Sequence, residues 1–213
     1  MPDDFDGVAY CFSPGVAETA SFEQDCLSRG ITSFLADWSV DSPPIDLPGC
    51  TFFKKFVGAY NDERTITIDD WVNSCLPKDF KDDLILQMDI EGAEFVTILS
   101  TSINTLKRFR IIIIEFHNSD ALRSNAFYNI FYATVKKIRS EFEPVHVHSN
   151  NCCGISDVVG VKMPRVFEVT FLRKDRVKQR KSITSLPHPL DQPNFIDRDN
   201  IDLPHNWLKF DKI

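Results

Sequence analysis

No run of apolar residues in this chain is long enough to span a bilayer, and the N-terminus lacks the basic-then-apolar order of a secretory signal. Membrane-spanning classes are set aside, and a cytoplasmic location is the expectation. No basic block stands alone: net charge is −7 at pH 7, and the one basic run, Arg173 to Lys181, lies beyond the last strand-like segment. A surface of that sign repels a phosphate backbone, which argues against nucleic acid as the partner. The six cysteines are scattered apart from Cys152-Cys153, and none has zinc-finger spacing. Reduced thiols are the simpler expectation. There is no GxGxxG, no internal repeat and no low-complexity segment.

What is present fits one soluble globular domain. Hydrophobic residues make up 43% of the chain and charged residues 26%, and the 18 Phe point to a well-filled interior. Gly7–Phe12 reads as a first buried strand, Ser13–Glu18 as a turn, and a helix is expected from about Thr19 to Arg29, with Gly30 as its stop. Ile31–Ala36 is a second strand ending at Asp37, and Thr51–Val57 a third. A short helix over Asp69–Leu76 precedes the apolar run Leu84–Met88, and a further helix passes through Phe95, Ile98 and Leu99. Arg110–Phe116 is the clearest buried strand, followed by a helix over about Asn125–Phe142 with one apolar stripe. Pro144–Ser149 and Val166–Leu172 then read as two strands without a helix between them, a long-looped antiparallel hairpin. Alternating β and α units closing on a hairpin predict an α/β fold with a mostly parallel sheet and one reversed strand. Residues 1–175 are expected to form the domain, and 176–213 an irregular Pro-rich tail packed through Leu203, Trp207 and Phe210. Because strand-like material begins by Val8, the chain is also expected to be either short of an upstream helix or one domain of a longer protein.

The chain is organised around Asp82–Glu94, DDLILQMDIEGAE. In an open parallel sheet the carboxyl ends of the strands form the ligand crevice. A strand that runs into Asp89, Glu91 and Glu94 around a glycine puts carboxylates at that mouth, although such acids also cap helices. The opening βαβ unit, with Asp37 about twenty residues past a glycine turn, is how nucleotide-type ligands are held, the acid accepting from ribose hydroxyls. Asp89 and His117 would lie at the ends of neighbouring strands, with His148, Asn150 and Asn151 along the same edge. His146 is expected on the other face. A carboxylate with histidines over a crevice suits general-base removal of a hydroxyl proton, or a divalent ion that orients a diol.

These residues carry a family resemblance. MDIEGAE at 88–94, EFH at 115–117, HVHSNN at 146–151 and FEVTF at 167–171 resemble the FkbM-type methyltransferases, over roughly residues 7–175. The resemblance implies a Rossmann-like, doubly wound, seven-stranded methyltransferase sheet closing with an antiparallel hairpin. It also implies S-adenosylmethionine as cofactor and the O-methylation of a hydroxyl on a sugar, such as a deoxyhexose of a glycan. By position, Ser13, Gly15, Glu18, Asp37 and Asp89 would contact the cofactor; Asp89, His117 and Glu91 would be catalytic; His148, Asn150 and Asn151 would shape the acceptor pocket. A metal would be held by Asp89, His117 and His148. One departure stands out: the glycine-rich first turn of such enzymes is reduced here to SPGVAE, where Pro14 removes one N–H. Two other readings stay open, a non-catalytic interaction module on the same fold and a nicotinamide-dependent oxidoreductase.

Overall fold

In the computed structural model, which describes residues 2–16, 19–181, 185–204 and 207, the apolar runs become strands and the phased segments helices. β1 (Val8–Pro14) leads through α1 (Ser21–Ser28) to β2 (Thr32–Ala36) and β3 (Thr51–Phe53). A separate parallel pair, β4 (Phe56–Gly58) and β5 (Thr65–Thr67), precedes α2 (Ile68–Cys75). Then come β6 (Asp83–Met88), α3 (Glu94–Ser100), α4 (Ile103–Leu106) and β7 (Phe109–Phe116). α5 (Asn125–Glu141) leads to the closing hairpin of β8 (Phe142–Val158) and β9 (Val161–Arg173).

The main sheet has seven strands in the order β3-β2-β1-β6-β7-β9-β8. β3 to β7 pair in parallel through β2, β1 and β6, while β9 enters antiparallel between β7 and β8. This mixed α/β sheet, mostly parallel with a reversed strand near one edge, is consistent with the Rossmann-like methyltransferase fold. Alternate side chains of the central strands feed two cores. Phe12, Leu86, Ile112 and Ile114 pack with Trp71, Phe95 and Ile138 on one face, and Cys11, Ile85, Ile111 and Ile113 with Cys26 of α1 on the other. That double burial is why Arg110–Phe116 carries an unbroken isoleucine run instead of an alternating pattern. Among the described residues no helix is long and apolar enough to cross a membrane.

Four expectations change. The third strand is split: Lys55 N–H turns back onto the Phe53 carbonyl at 2.8 Å, and Phe56–Gly58 leaves the sheet to pair with β5. The Lys55 ammonium closes that excursion on the carbonyls of Asp62 and Glu63. The supposed long linker after Asn150 is strand nearly throughout, and the hairpin closes on Val159-Gly160 with φ of +53° and +83°, a tight two-residue turn. Cys152 and Cys153 are joined as a vicinal disulfide, whereas Cys11, Cys26, Cys50 and Cys75 are free thiols. His146 shares a face with His148, as residues two apart on a strand must; both rings meet Asp191. In the tail, Trp207 packs on Phe167 with ring centroids 5.0 Å apart, and Phe210 lies outside the described residues.

Candidate active site

The tips of β6 and β7, adjacent in the sheet, hold the site. β6 ends at Met88, and the chain then passes through Asp89, Glu91 (φ +55°) and Gly92 (φ +105°) before α3 begins. A left-handed glutamate is a strained conformation, kept where the surroundings impose it. Here Asn118, itself at φ +60° beyond the end of β7, sits so close that a Cβ on Gly92 would lie 2.7 Å from its Nδ2. The β1 turn seats on the same loop. Asp89 N–H donates to the Pro14 carbonyl at 3.3 Å, and a Cβ on Gly15 would overlap the Asp89 carbonyl oxygen. Gly15 is thus required by the chain's own packing.

His117 is the hub. Its Nδ1 is hydrogen-bonded at 2.9 Å to Glu94, whose side chain is fully buried and also accepts from Gly92 N–H at 2.9 Å. Its Nε2 faces three more carboxylates, Glu91 at 3.5 Å, Glu115 at 3.6 Å and Asp89 at 3.8 Å. Burial would lower the imidazole pKa, but the Glu94 hydrogen bond and the charges of Glu94, Glu115 and Asp89 outweigh it and raise it to about 9. Burial, and next the neighbouring Glu115 carboxylate, push Asp89 up to about 8. Asp89 Oδ1 and Glu94 Oε2 are shielded from solvent and have no hydrogen-bond partner among the described residues. Asp89, Glu94 and His117 each offer a ligand atom, all within 4.8 Å of one another.

The expected residues divide into three groups. Asp89, Glu91 and His117 come together, and Asn150 joins them through its Nδ2–H to Glu115 Oε1 at 2.7 Å. His148 and Asn151 do not: His148 faces Asn194 at 3.2 Å and Asp191 at 3.7 Å, and Asn151 bonds the tail backbone at Phe195 and Arg198. The expected metal set of Asp89, His117 and His148 is therefore not assembled; Glu94 stands where His148 was expected. On the cofactor side, Asp37 follows β2, and its Oδ1 accepts from Ser39 N–H (2.7 Å) and Oγ–H (2.6 Å). Among the described residues its Oδ2 accepts no hydrogen bond, which suits it to a ribose diol. Ser13 does not fit the expected contact: its hydroxyl is buried between Glu23 and Gln87. Glu18 lies outside the described residues.

Sequence reasoning passed over Glu94 as a working residue, although its position in the DIEGAE run was the signal. A carboxylate in the first turn of a helix reads as a cap, and Glu94 does receive the Gly92 N–H. Its partner 23 residues on is invisible without the strand order.

The family described as Methyltransferase FkbM domain matches residues 27–146, from within α1 to within β8. No curated protein matches the chain.

Proposed function

We propose a function from one premise: the chain belongs to the FkbM methyltransferase family, whose match covers more than half of its 213 residues. The reading is an S-adenosylmethionine-dependent O-methyltransferase acting on a hydroxyl of a sugar, such as a deoxyhexose of a glycan. The observation that carries it is the pair Asp89 and His117, 3.8 Å apart at neighbouring strand tips, with the free edge of Asp37 at the tip of β2 on the far side of β1. Asp37 would hold the ribose, and the Gly15–Asp89 seam would border the methionine end. When bound, the cofactor supplies an electrophilic methyl group on a sulfonium. The chain's own part is to align an alcohol oxygen, keep water out and take its proton. Asp89 and His117 are the groups for that proton. Glu94 fixes the ring through Nδ1 so that Nε2 faces the crevice, and Asn150 holds Glu115 beside them.

Labelled methyl transfer from S-adenosylmethionine to a panel of glycosides tests the reading, and calorimetry with S-adenosylhomocysteine separates it from a non-catalytic module, which should give no heat. Asp37→Ala should weaken cofactor binding about tenfold or more, whereas His117→Ala should spare binding and lower turnover by roughly 10²–10⁴. Equal losses of both in both variants would refute this division of labour. A second reading is favoured by the close Asp89, Glu94 and His117 donors: they would hold a divalent ion that lowers the pKa of the acceptor hydroxyl. Activity unchanged by EDTA and by added Mg²⁺ or Mn²⁺ excludes it.

A further inference from the structure

Along the free edge of the sheet the tail is tied to β8 by side chains that the site does not use. Asn151 Nδ2–H donates to the carbonyls of Phe195 at 2.9 Å and Arg198 at 3.2 Å, and its Oδ1 accepts from Phe195 N–H at 2.9 Å. Ser149 Oγ–H donates to the Ile201 carbonyl at 2.6 Å, and Asp191 sits between His146 at 3.0 Å and His148 at 3.7 Å. Between strand and tail lies a cavity of ≈ 40 Å³. At roughly 10–15 Å³ per water-sized group it admits about three such groups, the size of one hydroxyl-bearing edge of a sugar ring.

The chemistry of its walls selects the ligand. His148 from the strand and Asp191, Gln192, Asn200 and Asp202 from the tail present carboxylate, amide and imidazole groups, and six apolar residues, Pro193 among them, make up half of the lining. Among the described residues no Lys or Arg lines it, and two carboxylates oppose an anion. Such walls offer hydrogen bonds to hydroxyls and a surface to ring C–H groups. The cavity is also in line with the candidate active site: Glu115 of β7 faces Glu168 of β9, and Glu168 faces His148 of β8. Two strand spacings of about 4.8 Å separate Glu115 from His148, roughly 10 Å in all. One extended acceptor can reach both.

We propose that this cavity is a second acceptor subsite, taking one hydroxyl-bearing edge of a neutral sugar unit of a glycan next to the unit that is methylated. It rests on the function proposed above and deepens it: the acceptor is an oligosaccharide, and binding energy from the remote unit helps to place the reacting hydroxyl. The tail is then part of acceptor selection. Gln192 and Asn200 are its exposed readers; among the described residues their side chains make no hydrogen bond within the chain, so removing them leaves the fold intact.

The test uses the full chain, a rhamnose trisaccharide and the matching methyl rhamnoside, with spermidine and inorganic phosphate as controls. Titrated with the trisaccharide, the side-chain amide signals of Gln192 and Asn200 should shift in NMR spectra. The Gln192→Ala/Asn200→Ala variant should raise KM for the trisaccharide about tenfold. It should leave the monosaccharide kinetics and S-adenosylhomocysteine affinity unchanged. Shifts with spermidine or phosphate but not sugar, no shifts at all, or equal KM changes for both acceptors would overturn the proposal. If no sugar is methylated, the assigned function falls, while the amide shifts still decide whether the cavity binds a sugar.

Discussion

Glu94 shows how one buried carboxylate can set the behaviour of a whole site. It is fully buried, holds His117 Nδ1 at 2.9 Å, and is the largest of the influences that raise the imidazole pKa to about 9. Glu94→Gln keeps the shape and removes the charge. The imidazole then loses its proton at lower pH, so the rising limb of the pH–rate profile should move to lower pH. With the ring less firmly oriented, turnover should fall about 100-fold. S-adenosylhomocysteine affinity, measured by calorimetry, should stay the same, because Asp37 on the far side of β1 is untouched. An unmoved pH limb would show that Glu94 fills space and does not tune the ring. The same scale explains what the sequence could offer. Asp89, Glu91 and His117 were legible because they end apolar runs, and strand tips face the crevice. His148 and Asn151 sit two strands away, and their nearest polar partners come from a tail with no periodicity to read.

Among the elements, those built from local signals matched well and those decided by distant partners did not. Helix α1 stops where Gly30 (φ +77°) permits a left-handed turn, and α2 starts at Thr67, whose hydroxyl accepts the Asp70 N–H at 3.3 Å. Thr51–Val57 looked like one strand because its composition is uniform in β-formers. The break at Lys54-Lys55 depends on carbonyls of a loop seven and eight residues later. The antiparallel β8–β9 hairpin is as expected, but its short turn is hidden for a different reason: the turn residues are Val159-Gly160, where Asn-Gly or Asp-Gly would be the recognisable signal. A β-branched residue at φ +53° is strained, and Val159 is 88% exposed, so no packing compensates. Val159→Asn should therefore stabilise the chain by about 1 kcal/mol, read as a higher urea midpoint with an unchanged m-value. A lower midpoint would mean that the turn is not of this type.

Across the whole molecule, the two ends of the sheet treat charge in opposite ways. At the end opposite the site most of the charge is answered: Arg110 bonds Asp83 at 2.7 Å and the Asp6 carbonyl at 2.7 Å, and Arg173 bonds Asp83 at 2.6 Å, while Arg108 Nη2 alone is shielded from solvent without a partner among the described residues. At the crevice, four carboxylates surround one imidazole, and two carboxylate oxygens have no partner among the described residues. That end carries a stability cost, as groups held ready for the proposed proton transfer would. Asp89→Asn removes one member of the cluster. An aspartate that ionises near 3.8 when unfolded and about 8 when folded makes the folded state take up a proton between those values. Wild-type stability from this group therefore falls as pH rises from about 4 to about 8, and levels off above. The Asn variant escapes that fall. Asp89 is 34% exposed, so solvent screening reduces the gain to about 1 kcal/mol, or roughly 2–4 °C in Tm, at pH 8. At pH 4 the two proteins should melt together, and methyl transfer by the variant should be lost at either pH. A variant that is less stable at pH 8 than the wild type would place the repulsion elsewhere and leave Asp89 as a structural residue.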